Sequence, residues 1–228
     1  MLSKVTELQT PTQVNNSPTR GTLFVVSSPS GGGKGTLVRG VLEIVENLSY
    51  SVSYTTRGPR ANEVNGREYF FIDVPTFEEM VAGGEFLEWA CVHGNFYGTS
   101  KQQIAEKTAA GLDIILEVDV QGAASVRQLL MDTVSVFILP PSFAVLKERL
   151  CARGTDTAES LELRLRNAPE ELKHYSKFDY VIINDEIERA VGQLASIIYA
   201  ERARCVRQEG LVRRVIQEFG SVDDLTTT

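Results

Sequence analysis

Cysteine and histidine are scarce in this 228-residue chain, which holds three Cys (Cys91, Cys151 and Cys205) and two His. The thiols are odd in number, far apart and without Cys-x-x-Cys or His-paired spacing, which excludes a disulfide framework or a zinc site as the organising element. Positive charge is short as well: 23 Lys and Arg stand against 30 Asp and Glu, a formal net charge of −7. That balance leaves no electrostatic footprint for nucleic acid or anionic lipid, so an anionic ligand must meet locally concentrated positive charge. No apolar run approaches the about 18 residues of a membrane span, and the polar stretch 1–20 has no h-region of a secretory signal. The expectation is a cytoplasmic protein with no nucleic-acid and no membrane partner.

What is present suits a medium-sized domain, with 43% hydrophobic and 23% charged residues. Four short apolar runs rich in β-branched residues stand out: Leu23 to Val26, Ile114 to Val118, Val134 to Leu139 and Tyr180 to Ile183. Because they barely alternate, they read as strands of a parallel sheet covered on both faces. Between them lie helical periods, at Leu37, Val41, Ile44, Val45 and Leu48 and again at Ile187, Val191, Leu194 and Ile198. Strand alternating with helix predicts an α/β fold with helices on both faces of the sheet. Residues 53–99, dominated by Gly, Pro, Arg and aromatics, break this rhythm and read as an inserted, mostly β subdomain. A second insertion is expected from Cys151, where an Arg-Gly-Thr turn precedes the helix-prone TAESLELRLRN; Pro169 is expected to kink or end that helix near Ala168.

Directly after the first apolar run comes SSPSGGGKGTL, Ser27 to Leu37, followed by the amphipathic helix. The order strand, Gly-rich loop, Lys, helix is the context in which a P-loop is credible. Ser30, Gly31, Gly32 and Gly33 let the backbone curl with its N–H groups inward, the helix start adds its positive end, and Lys34 supplies a point charge for β- and γ-phosphates. Two positions depart from the G-x-x-x-x-G-K-[ST] pattern: Ser28 replaces the first Gly, and Gly35 replaces the hydroxyl that ordinarily ligates Mg²⁺. Mg²⁺ bound with ATP then has to rely on phosphate oxygens, waters and a carboxylate from a neighbouring strand. Thr36, about 100° further round the helix, is expected to touch a phosphate instead.

Two guanidinium forks, Arg57 and Arg60, and two phenols, Tyr69 and Tyr97, form a natural cradle for a phosphate dianion. Taken with Ser53, Thr55, Thr56, Pro59, Glu63, Gly66, Glu88, and Gly94-Asn95-x-Tyr97-Gly98-Thr99, this pattern closely resembles the guanylate kinases. With the P-loop, the Asp119-x-Gln-Gly element and the later arginines, the likeness runs over roughly residues 21–205. The resemblance implies a P-loop NTPase-type parallel sheet core with an inserted GMP-binding subdomain and a small helical lid. It also implies ATP and GMP as substrates, and places Ser53, Arg57, Arg60, Glu63, Tyr69, Glu88, Tyr97, Thr99 and Asp119 at the GMP. Glu88 and Asp119, as ionised carboxylates, can accept from guanine N1–H and N2–H₂ while facing the N1 lone pair of adenine with repulsion. The hydroxyls of Ser53 and Thr99 can serve O6 or the purine edge.

Glu117 and Asp119 sit two apart at a strand's C-terminal end, where P-loop folds carry a Mg²⁺-side acid. Glu117 is either that acid, acting through water, or a partner of a nearby helix or loop. Arg149, Arg153 and Arg164 match the family's arginines that approach the transferring phosphoryl, and Asn184 with Asp185 matches its loop near the ATP adenine. The implied organisation is an N-terminal extension 1–20, a kinase-like domain 21–207 and a tail 208–228. Within the domain, the core takes 21–52, 100–150 and 172–207, the GMP-binding piece 53–99 and the lid 151–171. The function implied is ATP-dependent phosphoryl transfer to GMP by a monomer or homodimer. The alternatives are a kinase for another nucleoside monophosphate, or a non-catalytic binding module of the same fold; the latter is disfavoured by the intact Gly33 and Lys34.

Overall fold

The computed structural model describes residues 20–92, 94–130, 132–152 and 158–223. Five parallel strands form the main sheet: β1 (Leu23–Ser27), β2 (Leu48–Tyr50), β7 (Asp113–Glu117), β8 (Thr133–Leu139) and β9 (Tyr180–Ile183), in the order β2-β7-β1-β8-β9. Successive side chains of a strand point to opposite faces, and the core divides accordingly. Phe24, Val26, Ile115, Val136 and Ile138 pack against α1 (Lys34–Ile44) and α7 (Ile187–Arg202). On the other face, Leu23, Val25, Ile114 and Leu116 meet α3 (Lys101–Ala109) and α4 (Val120–Leu129). The α/β class with helices on both faces is therefore present, built on the four strands expected from the apolar runs.

Three expectations are corrected. The period through Val45 and Leu48 suggested one helix, but α1 ends at Ile44; Val45 is extended, Asn47 turns with φ 56°, and Leu48 opens the fifth strand. Strand β9 is not covered on both faces, since Val181 and Ile183 remain 42% and 44% exposed, as an edge position allows. Pro169 does not end its helix near Ala168, because α6 (Ala158–Leu172) runs through it. Proline removes one backbone donor, whereas fully buried Ala168 beside it, packed with Leu146 and Leu150, fixes the path of the helix.

A second sheet, ordered β4-β3-β6-β5, is made from β3 (Tyr54–Thr55), β4 (Phe70–Phe71), β5 (Phe86–Val92) and β6 (Asn95–Ser100). It encloses a small aromatic core in which Phe77 stacks on Phe86 at 4.5 Å and on Phe96 at 5.3 Å. Phe77 comes from α2 (Val74–Ala82), a short helix that the sequence reading left out. Its start is set by Asp73, which accepts from Thr76 N–H, and by Pro75 in the first turn. Helix α5 (Phe143–Ala152) joins α6 in a third small core, and the last helix, α8 (Cys205–Asp223), begins three residues before the tail drawn at 208.

A buried ionic knot fastens the main sheet at the end away from the Gly-rich loop. Asp113 accepts from Thr22 N–H at 2.6 Å and from Arg202 Nε at 2.7 Å, while Arg202 Nη2 donates to Glu46 O at 2.8 Å. Truncating one partner leaves the other charge half-buried and unmatched, so Asp113→Ala is expected to cost about 3 kcal/mol in urea-unfolding stability. A loss under about 0.5 kcal/mol, the range of an exposed pair, would show that the knot is screened by solvent.

Candidate active site

The site grows from the end of β1. Ser28 to Gly33 form a tight loop in which Gly31 and Gly33 take φ of 87° and 90°, a region that side-chain-bearing residues avoid. Gly33 caps α1 without a side-chain bond, and its carbonyl receives Leu37 N–H at 3.3 Å. The N–H groups of the first helical turn thus point out of the helix end, where its dipole favours an anion. Space is as decisive as φ here: a Cβ on Gly33 would lie 2.1 Å from Asn184 Nδ2. Gly33→Ala therefore combines backbone strain with a clash, and is expected to raise about tenfold the KM for a ligand whose phosphates sit on the loop. An unchanged KM would mean that the loop opens freely around the added methyl.

Lys34 reaches across to the neighbouring strand, donating from Nζ to Val118 O at 2.8 Å. Register explains the approach, since β7 pairs with β1 so that Glu117 lies beside Val26, one residue before the strand ends. The Glu117 carboxylate stands over Gly35, its oxygens 3.6 and 3.9 Å from where a Cβ would be. Burial pushes the Glu117 carboxyl above its ordinary range, and the charges of Lys34 and Arg39 work against that rise. Tyr50, on the paired strand β2, has its phenol raised by burial, with Glu117 and Tyr69 adding to the effect.

Asp119 turns to a different partner. It caps α4, accepting from Gly122 N–H at 2.7 Å. Glu88, from β5, approaches the same point: a Cβ on Gly122 would stand 3.2 Å from Asp119 Oδ1 and 3.4 Å from Glu88 Oε2. Thr99, from the adjoining strand β6, donates to Glu88 Oε1 at 2.5 Å. Glu88 is raised above the usual carboxylate range by burial first, with Asp119 adding to the rise and the Thr99 bond opposing it. Two acidic groups, one from strand β5 and one from the start of α4, thus meet over a glycine.

On the same small sheet, Arg57 lies over the rings of Tyr69 and Phe71, at 5.4 and 5.8 Å, and its Nη1 donates to Gly58 O at 2.8 Å. Tyr69 and Tyr97 meet edge to face at 5.8 Å. Glu63 holds this group together: Oε1 accepts from Arg57 Nη2 at 2.8 Å, and Oε2 accepts from Arg60 N–H at 2.8 Å. The Arg57 bond keeps the Glu63 carboxyl below its usual range. The partly buried Ser53 precedes β3, and the exposed Arg60 lies in the loop that follows it.

Behind the loop, Gly31, Gly33, Thr36, Arg149, Asn184 and Ile187 line a cavity of about 210 Å³. Thr36 consequently faces away from Glu117. Arg149 Nη2 donates to Asn184 O at 2.9 Å, and Asn184 Nδ2 donates to Gly32 O at 3.0 Å. Buried Arg149 Nη1, Asn184 Oδ1 and Ser27 Oγ have no hydrogen-bond partner among the described residues. Orphaned polar atoms so concentrated around one loop are what a polar ligand is needed to satisfy. On the other side, a larger cavity of about 1390 Å³ runs from the loop past Lys34, Glu117 and Asp119 to Glu171. Arg164, from α6, donates from Nη1 to Ser30 Oγ at 2.7 Å.

Of the expected site residues, the structure gathers Ser30 to Thr36, Glu117, Arg149, Arg164 and Asn184 around the loop. It gathers Ser53, Arg57, Arg60, Glu63, Tyr69, Glu88, Tyr97, Thr99 and Asp119 on the side of the second sheet. Arg153 lies outside the described residues. The sequence reading missed Gly122, whose lack of a side chain lets two carboxylates converge, and Glu171, whose Oε2 accepts from Ser30 N–H at 3.1 Å. Gly122 was legible as the Gly of the Asp-x-Gln-Gly element, and Glu171 as the residue two helical turns after Arg164.

A parallel sheet whose first strand feeds a Gly-rich loop, lysine and helix, with acids on the neighbouring strand, defines a P-loop phosphotransferase class. The family model "Guanylate kinase" matches residues 20–201. Among curated relatives, guanylate kinase of Dechloromonas aromatica is 50% identical over 200 residues, 86% of this chain and 99% of that protein. Guanylate kinase of Nitrosomonas europaea is 50% identical over 197 residues, 86% of this chain and 98% of that protein. Among solved structures, guanylate kinase from Anaplasma phagocytophilum superposes with a TM-score of 0.68 at 34% identity, covering 83% of this chain and 90% of that one. The chain belongs to the guanylate kinase family and is an enzyme, a kinase.

Proposed function

We propose that the enzyme transfers the γ-phosphoryl of Mg²⁺·ATP to GMP, giving ADP and GDP, with the acceptor read by Glu88 and Asp119. The observation that carries the assignment of the acceptor side is the meeting of these two carboxylates over Gly122. Guanine presents N1–H and N2–H₂ to such a pair, whereas adenine presents a lone pair at N1. The Thr99 hydroxyl spends its one proton on Glu88, so it positions that acid and leaves O6 to the Ser53 hydroxyl. Arg57, Arg60, Tyr69 and Tyr97 take the GMP phosphate. Glu63 carries the same charge sign as that phosphate, which makes it the residue that aims Arg57 and fixes the Arg60 backbone.

On the donor side, the loop amides from Gly31 to Thr36 and Lys34 cradle the β- and γ-phosphates, while Arg149 and Asn184 meet the nucleoside end in the smaller cavity. Divalent-metal chemistry fits the residues present: one carboxylate, Glu117, stands where the loop lacks a hydroxyl, and no cluster of three or more His, Cys, Asp or Glu side chains occurs among the described residues. Mg²⁺, which neutralises phosphate charge when bound, would be held chiefly by phosphate oxygens and waters, with Glu117 on its water shell. The attacking GMP oxygen is already anionic, so no general base is needed; orientation and charge neutralisation by Arg57, Lys34 and Arg164 perform the catalysis. The three exposed, unpaired cysteines suit the reducing cytoplasm.

The raised Glu88 carboxyl gives a pH test. Only the ionised form accepts two guanine hydrogens, so GMP affinity is expected to fall as pH drops through a range above that of an ordinary carboxylate. Stability of the GMP-free protein moves the opposite way, because a carboxyl whose folded pKa is raised binds its proton more tightly when folded and so stabilises the fold as pH falls. Calorimetric titration of GMP between pH 7.5 and 5 checks the first limb; a flat affinity would remove Glu88 from the base pocket.

A further inference from the structure

Helix α6 touches the phosphate-binding loop at two polar points, and both fall on Ser30. Arg164 Nη1 donates to Ser30 Oγ at 2.7 Å, and Glu171 Oε2 accepts from Ser30 N–H at 3.1 Å. Residues 164 and 171 are seven apart, about two helical turns, so they lie on one stripe of the helix, with Ala168 between them on the same stripe. Ala168 is completely buried, and a residue this small brings the helix close to its neighbours. Beneath the loop, a Cβ on Gly31 would stand 2.9 Å from Leu146 Cδ1 and 2.9 Å from Leu150 Cγ, and those two leucines share a core with Ala168, Leu161 and Leu165. The loop is thereby packed on α5 from below, α5 sharing a core with α6, and is held to α6 from the side by two charged groups.

Resting on the function proposed above, we propose that Glu171 is a positioning residue for phosphoryl transfer: by holding the Ser30 backbone while Arg164 holds the Ser30 hydroxyl, it sets the loop and the Arg164 guanidinium in one fixed register. Two features separate this from a competitor for the phosphates. The Ser30 amide lies on the approach arm of the loop, three residues before the Gly33 cap, whereas the amides of Lys34 and Gly35 belong to the helix end that attracts anions. A carboxylate that bonds an N–H on that arm fixes the loop without occupying the helix end. Arg164 sits at the same serine, so a shift of the loop against α6 displaces the guanidinium relative to the transferring phosphoryl, to which catalysis by orientation is acutely sensitive.

The test compares Glu171→Ala, Glu171→Gln and Ser30→Ala with the unaltered enzyme, using ATP, Mg²⁺ and GMP and fitting kcat and both KM values. Glu171→Ala is expected to lower kcat about ten- to a hundredfold, the loss that follows from removing one charge-assisted hydrogen bond at a reacting site, with KM for GMP within about twofold. Glu171→Gln keeps an acceptor for Ser30 N–H and is expected to restore kcat to within about threefold of the unaltered enzyme. Ser30→Ala releases only the Arg164 contact and should also lower kcat while sparing KM for GMP. Thermal melting of each variant accompanies the kinetics, and Ser30→Ala, a surface-loop truncation, keeps the test informative if Glu171→Ala unfolds. An unchanged kcat in Glu171→Ala, or a Glu171→Gln enzyme as slow as Glu171→Ala, overturns the inference. Failure of the unaltered enzyme to phosphorylate GMP would instead overturn the underlying reading, so the two failures are distinguishable.

Discussion

Replacing Lys34 by alanine is expected to slow phosphoryl transfer by about 10²–10³-fold, the range seen when one preorganised electrostatic group is removed from a developing charge. The lysine is the point charge of the loop, and it is preorganised by its bond to Val118 O at the end of the strand that carries Glu117. Its stem lies in the first turn of α1, beside the N–H groups that attract the same phosphates, so its charge adds to theirs instead of replacing them. Arginine at this position is not expected to rescue, because a planar fork cannot take the place of a compact ammonium inside a loop that curls this tightly. Thermal melting of the alanine variant should stay within a few degrees of the parent, since a typical hydrogen bond contributes about 1 kcal/mol. A variant that folds normally and retains more than about a tenth of the parental kcat would remove Lys34 from the chemistry.

Glu88→Gln is the second large effect, and it acts on selectivity. Thr99 continues to donate to the side-chain oxygen, which turns the new amide group toward the purine. Its hydrogens then face the N1–H and N2–H₂ donors of guanine, while they suit the N1 acceptor of adenine. A pocket built on hydrogen bonds can discriminate by about 10⁴ in kcat/KM, and with two acids sharing the task the loss of one is expected to erase about a hundredfold of the preference for GMP over AMP. The same substitution should abolish the acidic limb of GMP binding, which ties the selectivity result to the titration of that one carboxyl. Selectivity unchanged by the substitution would leave base recognition to Asp119 and the hydroxyls alone.

Much of this architecture was legible in the sequence because its signals are local. Unbroken β-branched runs named four of the five main strands, and the loop from Ser28 to Gly33 announced itself through glycines whose backbone no other residue adopts easily. What escaped was set by tertiary contact. Leu48 fits a helical period on paper, yet it becomes strand β2 because it pairs with Asp113 in a sheet that forms from distant segments. Pro169 looked like a breaker, yet burial of its neighbour Ala168 outweighs one missing hydrogen bond. In the site, residue types gave the chemistry but not the division of labour. Glu117 and Asp119, two apart in sequence, face Gly35 and Gly122 respectively. Glu63 bonds Arg57 and the Arg60 backbone, a matter of side-chain direction that spacing does not encode.

The most direct measurement follows ADP formation from ATP and Mg²⁺ with GMP and with AMP as separate acceptors. Rapid, GMP-dependent ADP release, with kcat/KM for AMP lower by about 10⁴, is the predicted result. Comparable turnover of AMP, or ADP release that does not depend on GMP, would contradict an acceptor pocket in which Glu88 and Asp119 select guanine.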